Sequence, residues 1–148
     1  KGDHHFDDLL VVNAHGDTLL FDGFATTPKG ADPLGWVDYN RDFEAIPVLM
    51  QNIPDSLYSI LLAHTPDYAF YAAPAGMDLV LSGHTHGGQV RLPFVGAPLV
   101  HISLGQEFLQ GLHTLGNTLV YTTRGIGTVW IPVRFLCPPE ITLISLGS

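Results

Sequence analysis

Two short apolar runs, each followed at once by a turn that contains histidine, constrain the fold most strongly. Residues 59–63 read SILLA and continue into His64, while residues 78–82 read DLVLS and continue into GHTHGG at residues 83–88. Continuous apolar runs of this length are typical of strands that are buried on both faces. They predict a sheet covered on both sides, and therefore a fold of the α/β (α+β) class.

Further strands are predicted where β-branched and other apolar residues cluster between turn signals, namely at residues 9–13, 18–24, 118–123 and 140–146. Helices are predicted over residues 38–52, where Pro47 should kink or shorten the helix, and over residues 67–75, which Pro66 opens. Residues 26–34, rich in Pro, Gly and Asp, are expected to form a loop. No repeat or shift of composition divides the 148 residues, which we interpret as one unit.

The acidic balance of the chain narrows the classes of partner. It carries 14 Asp and Glu against 6 Lys and Arg, a formal charge of −8. This charge argues against nucleic acid or an anionic membrane as a default partner. A phosphorylated substrate remains compatible with it, because bound cations would dominate the local field. The single cysteine, Cys137, rules out an internal disulfide.

His84 and His86 are the strongest candidates for metal ligands. If their stretch stays extended, the two rings point to the same side, and they can bind one metal together or one each of two adjacent metals. His64 is expected nearby, because neighbouring parallel strands place their carboxyl ends at one edge, where active sites of α/β sheets form. The flanking glycines allow a sharp turn and a close approach to an ion or phosphate. The alternative for each residue is a solvated histidine at a strand end.

Four segments, taken in order, resemble the C-terminal half of a calcineurin-like metallophosphoesterase. They are residues 63–67 (AHTPD), 83–89 (GHTHGGQ), 121–127 (YTTRGIG) and 132–143 (PVRFLCPPEITL). The last two resemble one bacterial branch, which includes small membrane-associated phosphodiesterases and some lipid A pathway hydrolases. The resemblance implies part of a four-layer αββα sandwich. Residues 1–148 would be the C-terminal portion of a single domain whose N-terminal portion is absent.

The resemblance also implies a ligand set. In that family two divalent metal ions clamp a phosphate ester, and Mn, Zn, Fe or Ni would suit imidazole ligands. His64 and His84 would bind the second metal and His86 the first. A family motif, Gly-Asn-His followed by Asp or Glu, is matched at Gly2 and His4 but not at Asp3 and His5. Asp3 would replace the Asn ligand, and His4 would serve as the catalytic acid. The family's carboxylate that bridges both metals is expected to precede Lys1.

Weaker signals follow the histidines. Arg124 is predicted either to bind the substrate phosphate or to form a salt bridge beside the site. Arg134 and Glu140 are expected to pair across a Cys-Pro-Pro turn, with Cys137 as a buried core thiol. Residues 94–100, FVGAPLV, are expected either to pack simply or to form a wall for an acyl or membrane-borne substrate.

Taken together, the sequence predicts an enzyme, a metallophosphoesterase that hydrolyses a phosphate monoester or diester at a dinuclear metal site. The alternative is a non-catalytic metal-binding or structural fragment that lacks the bridging carboxylate. The expected partner is a phosphate-ester substrate and not nucleic acid. The resemblance implies a bacterial protein, cytoplasmic or peripherally associated with a membrane, and does not select the substrate.

Overall fold

The computed structural model describes residues 9–12, 18–21, 45–51, 58–100 and 102–145. In chain order the described elements are β1 (Leu9–Val12), β2 (Thr18–Phe21), α1 (Ala45–Met50), β3 (Ile60–Ala63), α2 (Ala69–Ala72), β4 (Leu79–Ser82), β5 (Gly111–Leu115), β6 (Thr118–Thr122) and β7 (Leu143–Ser145). Short 3-10 turns occur at Pro66–Tyr68, His86–Gly88 and Gln106–Leu109. No helix among the described residues is long and apolar enough to cross a membrane.

A four-stranded mixed sheet positions the candidate site. Its strand order is β3-β4-β6-β5; the first three strands are parallel, and β5 runs antiparallel to β6. Every residue of the inner strand β4 is buried, as its uninterrupted apolar sequence predicts. The parallel arrangement brings the carboxyl ends of β3, β4 and β6 to the same edge of the sheet.

The two faces of this sheet pack against different layers. On one face, Val80 belongs to a buried cluster that includes Ile46 of α1 and Tyr68 beside α2. On the other face, Leu81 packs in a cluster with Ile144 of β7. Strand β7 belongs to a second sheet of order β2-β1-β7. The α/β (α+β) class is therefore confirmed, with one helical and two sheet layers among the described residues; the fourth layer of the predicted sandwich remains a prediction.

Strands are confirmed at all six predicted positions. Where the flanking residues are described, the ends differ from the prediction by up to three residues, as at β7, which begins at Leu143. Strand β5 was not predicted, because Gly111 and His113 interrupt its pattern; it forms a hairpin with β6 through Gly116 and Asn117, a dipeptide suited to a two-residue turn. The helix predicted at 67–75 is shorter, ending at Ala72. The predicted loop at 26–34 and residues 38–44 of the first predicted helix lie outside the described residues.

Candidate metal centre

His64 and His84 meet at the carboxyl edge of the parallel strands. The strand register pairs Ala63 with Ser82, and the amide of Gly83 donates a hydrogen bond of 3.3 Å to the carbonyl of His64. The two ring centroids lie 4.4 Å apart, with the ring planes inclined at 53°. Since zinc–nitrogen bonds measure about 2 Å, two imidazoles this close are within range of a shared metal ion.

His86 is presented by a different backbone geometry from the one expected. The condition that residues 84–86 stay extended is not met: His84 and His86 have φ angles of 68° and 50°, and Thr85 between them is helical, with φ −72° and ψ −19°. The left-handed region is unfavourable for residues other than glycine. Two such residues in one short loop at a sheet edge are the kind of local strain that marks functional sites.

The described residues bring two imidazoles together but no larger set of potential ligands. No group of three or more His, Cys, Asp or Glu side chains among them lies close enough to hold a metal. The His64–His84 pair nevertheless fits a ligand set by its chemistry, because neutral imidazole binds Zn, Fe, Mn and Ni. The predicted ligand Asp3 and the predicted acid His4 lie outside the described residues. The assignment of His64, His84 and His86 to two particular metals remains a prediction.

Gly87 and Gly88 allow the histidine loop to pack against its neighbours. Their φ angles are 64° and 88°. A Cβ on Gly88 would lie 2.2 Å from the Cβ of Ala97, and one on Gly87 would lie 2.5 Å from the Cγ of Arg124. The sharp turn predicted for these glycines is confirmed, and they also allow close contact with Ala97 and Arg124. Their predicted close approach to an ion or phosphate remains a prediction.

Replacing Gly88 with alanine is expected to lower the free energy of unfolding more than Gly76→Ala does. Gly76 also has a positive φ, of 84°, but a Cβ there would meet nothing within 4 Å. Backbone strain alone should cost about 1–2 kcal/mol at either position, while the overlap with Ala97 should add about 2 kcal/mol at Gly88. Urea unfolding of the two variants measures the difference. Equal losses would show that the loop relaxes away from Ala97.

Two polar side chains of the GHTHGGQ segment fasten the loop. The buried hydroxyl of Thr85 donates a hydrogen bond of 2.7 Å to the carbonyl of Leu109 and accepts one from the amide of Gly87. The amide nitrogen of Gln89 donates to the carbonyls of Val129 and Ile131, and its oxygen accepts from the amide of Val129. These residues therefore position the histidines and are not themselves candidate ligands.

Arg134 and Cys137 hold the carbonyl side of the same loop. Arg134 donates to the carbonyl of His86 at 3.1 Å and to four other carbonyls, those of Arg124, Gly125, Gly127 and Cys137. The buried Cys137 thiol lies 3.2 Å from the carbonyl oxygen of His86, in agreement with its prediction as a core residue. The predicted Arg134–Glu140 ion pair is wrong, because the guanidinium is occupied by backbone carbonyls. Residue types alone do not indicate that an arginine will bind backbone carbonyls.

Arg124 pairs with Glu140 beside the histidine loop. Its Nε donates to Oε2 of Glu140 at 2.7 Å, and its Nη2 contacts the same oxygen. The hydroxyl of Tyr121 donates to the other carboxylate oxygen at 2.7 Å. Of the two roles predicted for Arg124, the salt bridge is present in the structure. Binding of the substrate phosphate by Arg124 remains a prediction.

The Glu140 network makes stability depend on pH. Burial raises the pKa of the Glu140 carboxyl, but hydrogen bonds from Tyr121, Arg124 and Thr142, with the positive charge of Arg124, outweigh burial and hold the pKa below its ordinary value. A depressed pKa in the folded state stabilises the fold above the unfolded value of about 4.3. That contribution is lost as the pH falls through the folded pKa.

Glu140→Gln is therefore expected to lower the free energy of unfolding by about 1 kcal/mol at neutral pH. The difference from the wild type should shrink as the pH falls below about 4.3. Urea midpoints measured from neutral to acid pH test this expectation. Arg124→Gln removes the cationic partner, so its stability difference from the wild type should also shrink at acid pH. A stability difference that does not change with pH would contradict the depressed pKa of Glu140 as its cause.

Curated proteins of similar sequence identify the family. Over 109 residues the chain is 42% identical to metallophosphoesterase YkuE of Bacillus subtilis, a match that covers 74% of the chain and 37% of the relative. Over 120 residues it is 38% identical to phosphodiesterase YaeI of Escherichia coli, covering 72% and 42%. The chain therefore belongs to the calcineurin-like metallophosphoesterase family, within its small bacterial phosphodiesterase branch.

The name of a less similar relative specifies its substrate. Over 100 residues the chain is 35% identical to the UDP-2,3-diacylglucosamine pyrophosphatase LpxG of Chlamydia muridarum, covering 63% of the chain and 30% of the relative. The chain spans about two fifths of the length of YkuE and YaeI. No family model matches the chain, and no solved structure gives a significant match.

Proposed function

We propose that this chain forms part of a metal-dependent hydrolase of phosphate esters with a dinuclear site. The observation that carries the proposal is the close pair of His64 and His84, which sit at the carboxyl edge of parallel strands where ligands of α/β sheets bind. Membership of the metallophosphoesterase family supports it independently. Two bound divalent cations would offset the charge of the phosphoryl oxygens and lower the pKa of a water molecule.

The residues of this chain would hold and orient those cations. His64 and His84 would share one ion, because their rings are adjacent, and His86 would face the other. Thr85 and Arg134 fix the backbone that presents these rings, so the geometry is preorganised before any ligand binds. Asp3 as a further ligand and His4 as the acid for the leaving group complete the proposed set.

The proposal is tested on the full-length protein by metal analysis and by hydrolysis of bis(4-nitrophenyl) phosphate. Bound Mn, Zn, Fe or Ni, together with hydrolysis that depends on the added metal, supports it. A full-length protein that is folded, loaded with metal and inactive on both phosphomonoesters and phosphodiesters would overturn it. Replacing His84 with alanine is the sharpest form of the test.

A non-catalytic metal-binding or structural role is the second candidate. It is favoured by one observation, that no three potential ligands come together among the described residues. In this role the His64–His84 pair would hold a single ion without the bridging carboxylate. The metal-to-protein ratio separates the two candidates, because a single weakly held ion favours the structural role and two ions favour the enzyme.

The names of the relatives indicate the proposed substrate class. One relative is named a phosphodiesterase and another a pyrophosphatase of a diacylated sugar nucleotide, so a phosphate ester or anhydride is the proposed substrate class. We expect a bacterial protein that is cytoplasmic or peripherally associated with a membrane. Nucleic acid is not a proposed partner, given the acidic balance of the chain.

A further inference from the structure

A carboxylate close to His64 holds the backbone of a distant segment. Asp67 lies three residues after His64, and one of its oxygens accepts hydrogen bonds from the amides of Ser103, at 2.7 Å, and Leu104, at 3.1 Å. These bonds span 36 and 37 residues of sequence. Asp67 therefore fastens the loop that follows β3 to a segment that lies between β4 and β5.

The link between Asp67 and His64 is short and conformationally restricted. Thr65 is extended, with φ −120° and ψ 153°, as is usual for the residue before a proline. Pro66 has a fixed φ and is buried in the 3-10 turn that also contains Asp67. A displacement of Asp67 should therefore displace the backbone of His64.

The same distant segment also holds the histidine loop. The carbonyl of Leu109 accepts the hydrogen bond of 2.7 Å from Thr85, which lies between His84 and His86. Both Thr85 and Leu109 are buried. We define residues 103–109 as the brace segment, because its first two residues bind the loop after β3 and its last residue binds the histidine loop.

The brace segment is anchored in the core. Leu104 and Phe108 belong to the buried cluster that contains Tyr68 from the loop after β3. The amide of Phe108 donates a hydrogen bond of 3.2 Å to the carbonyl of Gly105, at the start of the 3-10 turn Gln106–Leu109. A segment that is packed and folded in this way can hold its two ends at a fixed separation.

Strand pairing by itself fixes the two loops only where they leave the sheet. The register of β3 and β4 continues as far as the hydrogen bond between Gly83 and His64. Beyond it the two loops take different conformations, since Thr65 is extended and His84 is left-handed. The relative position of the loops past the sheet edge therefore depends on contacts such as those of the brace segment.

We propose that the brace segment sets the separation of the His64 and His84 rings, and that Asp67 is a positioning residue for His64. The ring centroids are 4.4 Å apart, and the brace segment is bonded to both of the loops that carry them. Asp67 acts through backbone amides, so an uncharged oxygen in its place should serve nearly as well. The consequence for metal binding rests on the proposed phosphoesterase function; the control of ring geometry does not.

Ni²⁺ binding by the full-length protein, measured by titration calorimetry, tests the role of Asp67. Asp67→Ala is expected to weaken binding about tenfold, at the lower end of the range for removal of an outer-shell partner of a metal ligand. Asp67→Asn keeps an oxygen that can accept from both amides, so it should restore most of the affinity. A variant Asp67→Asn as weak as Asp67→Ala would show that the charge matters, which overturns the positioning role.

Asp78 provides the matched control at the opposite edge of the same strands. Its carboxylate accepts hydrogen bonds from the amide and the hydroxyl of Ser59, at 2.7 and 2.8 Å, so it joins the amino ends of β3 and β4. Asp78→Ala should destabilise the fold and leave the Ni²⁺ affinity of the folded protein unchanged. Equal losses of affinity in Asp67→Ala and Asp78→Ala, or wild-type affinity in folded Asp67→Ala, would overturn the inference.

Histidine-ring NMR signals of the metal-free, full-length protein separate this inference from the phosphoesterase proposal. Asp67→Ala should shift the ring signals of His64, and Asp78→Ala should not; these signals decide the inference even where the wild type binds no Ni²⁺. Shifted signals in a protein that hydrolyses no phosphate ester support the brace and refute the phosphoesterase. Unchanged signals in an active enzyme do the reverse.

Discussion

Replacing His84 with alanine in the full-length protein is expected to lower the rate of bis(4-nitrophenyl) phosphate hydrolysis by at least about a hundredfold. Removing even an outer-shell partner of a metal ligand typically costs 10–100-fold in activity or metal affinity, and His84 is proposed as a direct ligand. Its ring lies 4.4 Å from that of His64, so the change removes half of the proposed imidazole pair. The bound metal per protein should fall with the rate.

A matched histidine separates ligand loss from general damage. His113 lies on β5, where its ring nitrogen contacts the carbonyl of Gln110 at 2.9 Å and its ring packs near Phe108. His113→Ala is expected to retain the metal and most of the activity. Circular dichroism should show that both variants fold. Wild-type turnover and metal content in folded His84→Ala would refute the assignment of His84 as a ligand.

The parts of the fold that were predictable are those fixed by local pattern. Both faces of the sheet are covered at β3 and β4, so these strands are short apolar runs bounded by turns. Such runs are a clear signal in the sequence. Strand β5 has one sheet neighbour, β6, among the described residues, and its side chains alternate between partly buried and exposed. Its stability comes from pairing with β6 across a hairpin turn, and this pairing leaves a weak apolar pattern.

The candidate site also has features that were predictable from the sequence and features that were not. The meeting of His64 and His84 was predictable, because the two residues follow strands that pair in parallel. The left-handed conformation of His86 was not, since distant groups impose it: the carbonyl of Leu109 holds Thr85, and Arg134 holds the carbonyl of His86. Those contacts span 24 and 48 residues of sequence. A single sequence suggests pairs of oppositely charged side chains, but it does not indicate which backbone carbonyl an arginine will contact.

Arg134→Lys is therefore expected to lower the free energy of unfolding by about 3 kcal/mol, although it conserves the charge. The guanidinium serves five backbone carbonyls at once, including those of His86 and Gly127. An ammonium group is a compact point charge that cannot reproduce the planar fork. Each partly buried carbonyl that loses its donor costs about 1–3 kcal/mol unless water replaces it. Urea unfolding of the variant measures the loss.

The same substitution at Arg91 is the control. Arg91 donates to one carbonyl, that of Gly87, so Arg91→Lys should lower the free energy of unfolding by well under about 1 kcal/mol.

If Arg134 positions the histidine loop, Arg134→Lys should also weaken metal binding by the folded variant in the absence of urea, because the His86 carbonyl is no longer held. Loss of stability with unchanged metal affinity would mean that Arg134 supports the 124–127 loop alone. Wild-type stability would mean that a lysine and water satisfy the same carbonyls, which the fork geometry argues against.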